Sequence, residues 1–186
     1  MQGISAGRRA PLLALLVVLV LAVGPGAAPA RASGCAYAAA SARVIGVAAA
    51  RRAVECVVNA RRRAHGRRPL SWSGRLGLAA ERYSLDMVAR RFFAHVSPDG
   101  ATLVGRVRRT GYLRGARSWM LGEDIGWAED PIATASSIVR SWMHSPPHRS
   151  VLLDRRFRHV GVGVAAGVPD PSAGRGATFV MDVGRR

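Results

Sequence analysis

The C-terminal part of the chain carries the pattern that most constrains its fold. In the segment FRHVGVGVA, Val160, Val162 and Val164 alternate with glycines, and ATFVMDV repeats the alternation after a loop rich in proline and glycine. A repeat of two residues is typical of β-strands. The two segments therefore predict an antiparallel hairpin.

Helical patterns fill much of the sequence before this hairpin. Apolar residues recur at helical spacing over residues 44–65, and Gly66 follows as a stop signal. Ser73 is a suitable N-cap for a second helix. We expect a shorter helix over residues 102–109 and, after it, an extended stretch at the centre of SWMLGEDIGWAED.

A third long helix is predicted between this stretch and the hairpin. Asp130 and Pro131 fit the N-cap and first-turn positions of a helix. The buried side of that helix would consist of Ile132, Ala135, Ile138, Val139 and Trp142. Helices followed by a strand pair indicate an α+β chain, and the length of 186 residues suits one compact domain after removal of a targeting segment.

The first residues have the three parts of a secretory signal peptide. Arg8 and Arg9 precede an apolar run over residues 11–23, and small residues at 28–32 offer cleavage sites. We therefore predict a signal peptide over residues 1–32, a mature domain over 33–186 and export from the cell. The alternative is an uncleaved anchor, which needs about 20 apolar residues. The arginine pair is also compatible with a twin-arginine export route.

Two cysteines, Cys35 and Cys56, are present in the whole chain. An exported chain meets an oxidising environment, and an even count leaves no thiol over, so we expect a disulfide between them. In the chain-entropy model such a link contributes on the order of 3 kcal/mol. Two free thiols and a lipoprotein-type modification of Cys35 are the alternatives.

The charge of the chain is strongly positive, with a formal net charge of +17 and no lysine. This favours anionic partners, and we expect an envelope lipid, an anionic cell-wall polymer or a protein partner. The arginines occur as scattered pairs without a nucleic-acid motif, so specific nucleic-acid binding is not expected. After signal cleavage we expect a monomer that is not integral to the membrane.

Three polar residues stand out as candidates for a functional site. His95 follows Phe92 and Phe93, and His148 follows two prolines, so rigid neighbours hold both histidines. Glu123 lies in an apolar, glycine-containing stretch, where burial of an unpaired carboxylate would be costly. From spacing alone, separate residues such as these do not form a motif.

Five segments in order give the chain a family resemblance. FFAHVSPDG, RVRRTGYLRG, GEDIGWAED, SWMHSPPHRSVLL and FRHVGVGVA resemble the bacterial branch of the CAP superfamily, which includes cysteine-rich secretory proteins, antigen 5 and plant pathogenesis-related proteins. The resemblance runs from about residue 53 to the C-terminus. It implies a three-layer α-β-α sandwich with a small antiparallel sheet.

The resemblance also implies a cleft with two histidines and acidic residues, which in some members holds zinc or another divalent metal. His95, Glu123 and His148 match the two histidines and the glutamate, with His95 and His148 as the metal ligands. This chain departs from the family pattern at Tyr83, Asp124, Ser145, Pro147 and Ser150. The cleft is therefore expected to contain fewer acidic residues than in members that carry a second glutamate.

These observations leave several functions open. The first is a secreted, non-enzymatic binding module. The second is a metal-dependent hydrolase in which His95 and His148 coordinate zinc and Glu123 orients or deprotonates water. A serine-type site at Ser97 or Ser145 lacks the expected sequence context. The last alternative is that the three polar residues are purely structural, with binding left to surface arginines.

Overall fold

A computed structural model describes residues 34–186, so the predicted signal peptide lies outside the described residues. Six helices and four strands occur in this part of the chain. In chain order they are α1 (Ala42–Ile45), α2 (Val47–Ala64), β1 (Ser71–Trp72), α3 (Gly74–Arg90), α4 (Leu103–Arg109), β2 (Met120–Glu129), α5 (Ala135–His144), α6 (Pro146–Leu153), β3 (His159–Ala166) and β4 (Gly176–Arg185).

The strands form one sheet in the order β1-β3-β4-β2. The predicted hairpin is confirmed, because β3 and β4 pair antiparallel along their length. The expected extended stretch is the ten-residue strand β2, which pairs antiparallel with β4 at the edge of the sheet. The sheet is nevertheless mixed, since the two-residue β1 pairs parallel with β3. So short a strand has no alternation from which it could be recognised.

The two faces of β3 explain its alternation of valine and glycine. The valines are buried in the largest apolar cluster, together with residues of α2 and α5. On the other face, side chains at Gly161 and Gly163 would overlap the backbone of α3 near Gly77 and Ala80. Glycine therefore lets α3 lie directly against the sheet, and the helices cover both faces, as expected of an α-β-α sandwich.

Successive residues of β2 also face opposite layers of the molecule. Gly122 and Gly126 face the side chains of α5 and α6. Leu121 and Ile125 belong to the apolar clusters that include α3 and α4 residues. Because side chains alternate along a strand, Glu123 faces the α3 side and Asp124 the α5 side.

Two predicted helix boundaries differ from the structure. The first predicted helix is divided into α1 and α2 at Gly46, whose φ of +79° is outside the helical region. The predicted start of the third helix is wrong: α5 begins at Ala135, with Thr134 as its N-cap. Asp130 instead accepts a hydrogen bond from Ser41 and pairs with Arg43, so a distant contact has replaced the local cap.

The remaining local predictions hold in large part. Ser73 caps α3, because its Oγ accepts a hydrogen bond from the backbone N–H of Leu76. Ala135, Ile138, Val139 and Trp142 are buried as predicted, whereas Ile132 lies before the helix and is exposed. The disulfide between Cys35 and Cys56 is confirmed and attaches the N-terminal end of the described chain to α2.

Candidate functional site

Glu123 lies at the centre of a polar cluster on the edge strand β2. Its side chain is only 3 % exposed, and both of its oxygens have partners. Oε1 lies 2.8 Å from Nδ1 of His95, and Oε2 accepts a hydrogen bond of 2.5 Å from the guanidinium of Arg106. The structure thus gives the buried carboxylate the partner that the sequence required.

Arg106 is held in place by the loop that carries His95. It donates to the carbonyl oxygens of His95, at 3.1 Å, and Ala101, at 2.9 Å. Its guanidinium carbon lies 3.2 Å from the centroid of the Tyr83 ring, a cation–π contact. The Tyr83 hydroxyl in turn donates to the carbonyl of Ala94. Helix α3 and helix α4 together therefore fix the loop and the arginine.

Asp182 on β4 lies directly opposite Glu123 in the strand register. Residues paired in this way point to the same face of a sheet, so the two carboxyl groups are neighbours. Asp182 is fully buried, and neither of its oxygens has a hydrogen-bond partner among the described residues. Burial, and then the charge of Glu123, raise the pKa of Asp182 well above its usual value.

Asp124 faces the opposite side of β2 and is also fully buried. Both of its oxygens lack partners within residues 34–186. Burial is the larger cause, and the charge of Glu123 the smaller, that raises the pKa of Asp124 to about 8. This residue replaces the asparagine of the family pattern, so the chain places an acid where the pattern has a neutral amide.

His148 lies in the first turn of α6. The two prolines follow the end of α5 at His144 and form the start of this new helix, rather than a plain turn. Nδ1 of His148 is buried without a hydrogen-bond partner in the described structure. Burial first, and then the charge of His95, lower the pKa of His148.

Unpartnered buried groups are concentrated around this cluster. Among residues 34–186, six buried side-chain atoms have no hydrogen-bond partner, and they belong to Arg106, Asp124, His148 and Asp182. Native proteins contain few such atoms, and each calls for a physical reason. Arg106 and Asp182 lie on the same face of the sheet as Glu123, whereas Asp124 lies on the other face of β2.

The capacity of the cluster for a metal ion can be tested on its donor set. His95 has Nδ1 committed to Glu123, which leaves Nε2 as its available nitrogen. In the described part of the chain, no group of three or more histidine, cysteine, aspartate or glutamate side chains is arranged to hold a metal. The protein side chains present thus fall short of the three ligands typical of a catalytic zinc site.

The structure brings two of the predicted site residues into direct contact, His95 and Glu123, and adds two residues to the site. Arg106 and Asp182 were not identified as site residues. Arg106 lies in one of the quoted motifs but among several arginines, and Asp182 could have been noticed as the one acid in an apolar strand.

The fold and the cluster define a class of protein: an α-β-α sandwich whose edge strand carries a glutamate paired with a histidine. The sequence pattern described as the cysteine-rich secretory protein family, CAP, matches residues 57–181. The chain therefore belongs to the CAP family.

Two bacterial proteins of known sequence are similar to part of the chain. The Bacillus subtilis protein YkwD is 30% identical over 107 residues, which is 58% of this chain and 39% of YkwD. The Bacillus subtilis membrane protein YlbC is 31% identical over 102 residues, which is 54% of this chain and 27% of YlbC. The chain thus matches well under half the length of these two relatives.

Solved structures with the same fold come from three other bacteria. An extracellular Bacillus anthracis protein with an SCP domain has a TM-score of 0.63 and 23% identity, over 75% of this chain and 41% of that one. An outer surface protein of Borrelia burgdorferi has a TM-score of 0.58 and 17% identity, over 72% of this chain and 90% of that one. A cysteine-rich secretory protein of Staphylococcus aureus has a TM-score of 0.55 and 21% identity, over 77% and 41%.

No helix within residues 34–186 is both long and apolar enough to cross a bilayer.

Proposed function

We propose that this chain is a non-enzymatic binding module that acts at the cell envelope or in the extracellular space, with its ligand in the cleft around His95, Glu123 and His148. The observation that carries the proposal is the set of buried polar atoms of Arg106, Asp182 and His148 that have no hydrogen-bond partner in the described part of the chain. Such atoms are costly unless water or a ligand supplies the missing hydrogen bonds. A bound ligand with donors and acceptors would complete the cluster.

The pairing of Glu123 supports binding rather than catalysis. One oxygen faces His95 and the other a buried arginine. Both oxygens of this carboxylate are therefore already engaged by nitrogen groups of the chain itself. Glu123 is better suited to orient His95 than to take a proton from a substrate or from water.

The extracellular setting is supported by the N-terminal sequence and by similar proteins. Residues 1–32 carry the pattern of a signal peptide. The Bacillus anthracis neighbour is described as extracellular and the Borrelia burgdorferi neighbour as an outer surface protein. The disulfide agrees with an oxidising compartment.

The test compares the mature protein with a His95→Ala, His148→Ala double variant. Each is mixed with envelope lipid vesicles, with purified wall polymer and with envelope proteins, and the bound fraction is measured after sedimentation. We expect the wild type to bind one of these materials and the double variant to lose most of that binding while it remains folded. Equal binding by both proteins would remove the cleft from the proposal.

A metal-dependent hydrolase is the second candidate, and the contact between His95 and Glu123 favours it. Histidines that bind a metal commonly donate their other nitrogen to a carboxylate. In this candidate His95 and His148 hold zinc, and water or substrate supplies the remaining ligands. Because the described side chains supply only two imidazoles, we derive no catalytic step for it.

Zinc titration by calorimetry separates the two candidates. The mature wild type and the double variant are titrated at the same pH and ionic strength. Binding at micromolar affinity or tighter that disappears in the variant would support the metal site and justify assays with peptides, esters and glycans. Equal heats for the two proteins would eliminate zinc at these histidines and leave the binding module as the better account.

A further inference from the structure

A pocket of about 250 Å³ lies between α3, α4 and the loop that joins them. Four arginines line it: Arg82, Arg90, Arg106 and Arg109. Two carboxylates, Asp86 and Asp99, also belong to its wall. Arg106 also contacts Glu123, but neither His95 nor His148 lines the pocket, so it is a separate candidate site.

The charges in this pocket do not balance. Arg90 lies 3.5 Å from both Asp86 and Asp99, so these carboxylates are paired with it. Within residues 34–186, Arg82 and Arg109 have no carboxylate at ion-pair distance. Two guanidinium groups therefore border the pocket without a counter-charge from the described chain.

The inner wall contains a third guanidinium, that of Arg106. Arg106 is only 6% exposed, and its Nε–H is buried with no acceptor in the described structure. The other end of its guanidinium is fixed by Glu123 and the Tyr83 ring, so the donor cannot easily move to find a partner. Ser97 adds a buried hydroxyl to the same wall. Such a set of donors suits an anion with several acceptor oxygens.

The positive surface continues beyond Arg109. A second pocket of about 410 Å³ shares this residue and adds Arg108, Arg114 and the exposed Trp119. The sequence between Asp99 and Glu123 contains no acidic residue. A ligand bound at the first pocket would thus meet further guanidinium groups along the outer side of α4.

We propose that the pocket between α3 and α4 binds one phosphate group of a phosphodiester-linked polymer, whose neighbouring phosphates contact the arginines around the second pocket. Phosphate fits the donor fork of arginine as a carboxylate does, and its tetrahedral oxygens point in several directions, so that more than one arginine can approach it. A row of phosphates also explains why two arginine-lined pockets adjoin. This site extends the protein's proposed binding role beyond the cleft.

The test measures binding of a synthetic oligo(glycerol phosphate) to the mature protein by calorimetry. We expect an Arg82→Gln, Arg109→Gln variant to bind at least tenfold more weakly. The control is Arg61→Gln, Arg63→Gln, which removes the same charge from exposed positions of α2 and should change affinity less than twofold. Equal losses in the two variants would show that only the net charge matters and would overturn the site.

Three further probes define the ligand. Inorganic phosphate should bind through the same two arginines but more weakly, since it occupies one pocket. Polyglutamate of similar length should bind much more weakly than the phosphate oligomer, and equal binding would overturn the choice of phosphate. Phosphatidylglycerol vesicles that bind as tightly per phosphate as the oligomer would assign the surface to lipid headgroups and overturn the polymer.

The cleft and this pocket can be tested independently. His148→Ala removes a cleft residue that does not line the pocket and should leave oligomer binding unchanged. A loss of oligomer binding in this variant would contradict the separation of the two sites. Conversely, failure to find a cleft ligand would leave the expected effect of Arg82→Gln, Arg109→Gln intact.

Discussion

Two buried arginines, Arg62 and Arg106, have different surroundings. Arg62 is 1% exposed and donates to the backbone carbonyls of Arg68, Leu152 and Asp154, at 2.9, 2.6 and 3.1 Å. No buried nitrogen of Arg62 lacks a partner, and the contacts join α2 to the end of α6. Arg106 pairs with a carboxylate, and its own Nε and the nearby acids are left without partners.

The comparison separates a structural role from a functional one. Around Arg62 the fold supplies every hydrogen bond from backbone groups, which is the usual arrangement for a buried polar residue. Around Arg106 and Glu123 the fold buries more acceptors than it can satisfy, and such groups reduce stability. Proteins retain buried acceptors of this kind where a ligand, a water molecule or a proton supplies the missing hydrogen bonds. The difference therefore points to the Glu123 cluster, and not to Arg62, as the site that binds something.

The largest expected effect comes from Arg62→Met. This change leaves three carbonyl oxygens with one partner fewer, so we expect the free energy of unfolding to fall by about 3–5 kcal/mol. Urea denaturation at neutral pH measures it. The control is Arg63→Met at the next, exposed position of α2, where a change within about 0.5 kcal/mol is expected. Similar losses in both variants would contradict the structural role of Arg62.

Arg106→Met should lower the free energy of unfolding somewhat less than Arg62→Met does, and a second substitution should restore part of the loss. Alone, it leaves the charge of Glu123 buried with no guanidinium, and we expect a loss of about 3 kcal/mol. Adding Glu123→Gln removes that charge and should recover more than half of the loss, as measured in a double-mutant cycle. No single second substitution can rescue Arg62→Met in this way, because its partners are backbone groups. A double variant no more stable than Arg106→Met would contradict the ion pair.

The variant Asp124→Asn tests whether buried Asp124 is protonated, through the dependence of stability on pH. The pKa of Asp124 is raised from 3.8 to about 8, so the folded state binds this proton more tightly than the unfolded state. The contribution of Asp124 to the stability of the folded state is therefore most favourable below pH 4 and is lost as the pH rises toward 8. The neutral amide should be more stable than the wild type by about 1–3 kcal/mol at pH 8 and similar to it at pH 4.

Asp170→Asn is the matched control for that experiment. Asp170 is exposed, and hydrogen bonds from the side chain and backbone of Ser172 lower its pKa. The stability that Asp170 contributes depends on pH in the opposite direction. It is present above the pKa of the unfolded state and is lost as the pH falls. Thermal melts of the three proteins from about pH 2 to pH 8 measure both effects, since Asp170 responds only below its unfolded pKa and Asp124 above it. Parallel curves for the wild type and Asp124→Asn would show that Asp124 is not protonated in the folded protein.

The smallest effect on stability is expected for His95→Ala. The His95 side chain is 54% exposed, so its contact with Glu123 is screened by water, and we expect a loss of less than about 1 kcal/mol. The same variant should nevertheless impair ligand binding in the cleft. Chemical denaturation and the sedimentation assay, run on one preparation, measure the two properties. A loss as large as that of Arg106→Met would instead make His95 a structural residue.

Much of the fold could be predicted because its signals are local. The alternation in β3 and β4, the serine before α3 and the apolar face of α5 each depend on residues a few positions apart. The prediction at Asp130 failed because it was based on the same kind of local signal. Asp130 is a suitable helix cap for its neighbours, but its side chain instead contacts Ser41 and Arg43, about ninety residues away in sequence.

The site could be predicted only in part. His95, Glu123 and His148 could be identified from the family resemblance, and in the structure His95 contacts Glu123. The unusual positions of Arg106 and Asp182 could not be found in this way, because arginines are common in the chain and one aspartate carries no pattern. Their importance depends on burial, which is set by neighbours from other elements.

By itself, the sequence determined the hairpin, most of the helices, the cysteine pair and the family, because periodicity, capping and motif order are properties of neighbouring residues. The tertiary structure decided which carboxyl groups are buried beside Glu123, which arginine neutralises it and which donors remain free. Hydrogen bonds and pKa values at such a site depend on desolvation and on charges brought close by the fold, so they exist only after distant segments have packed together.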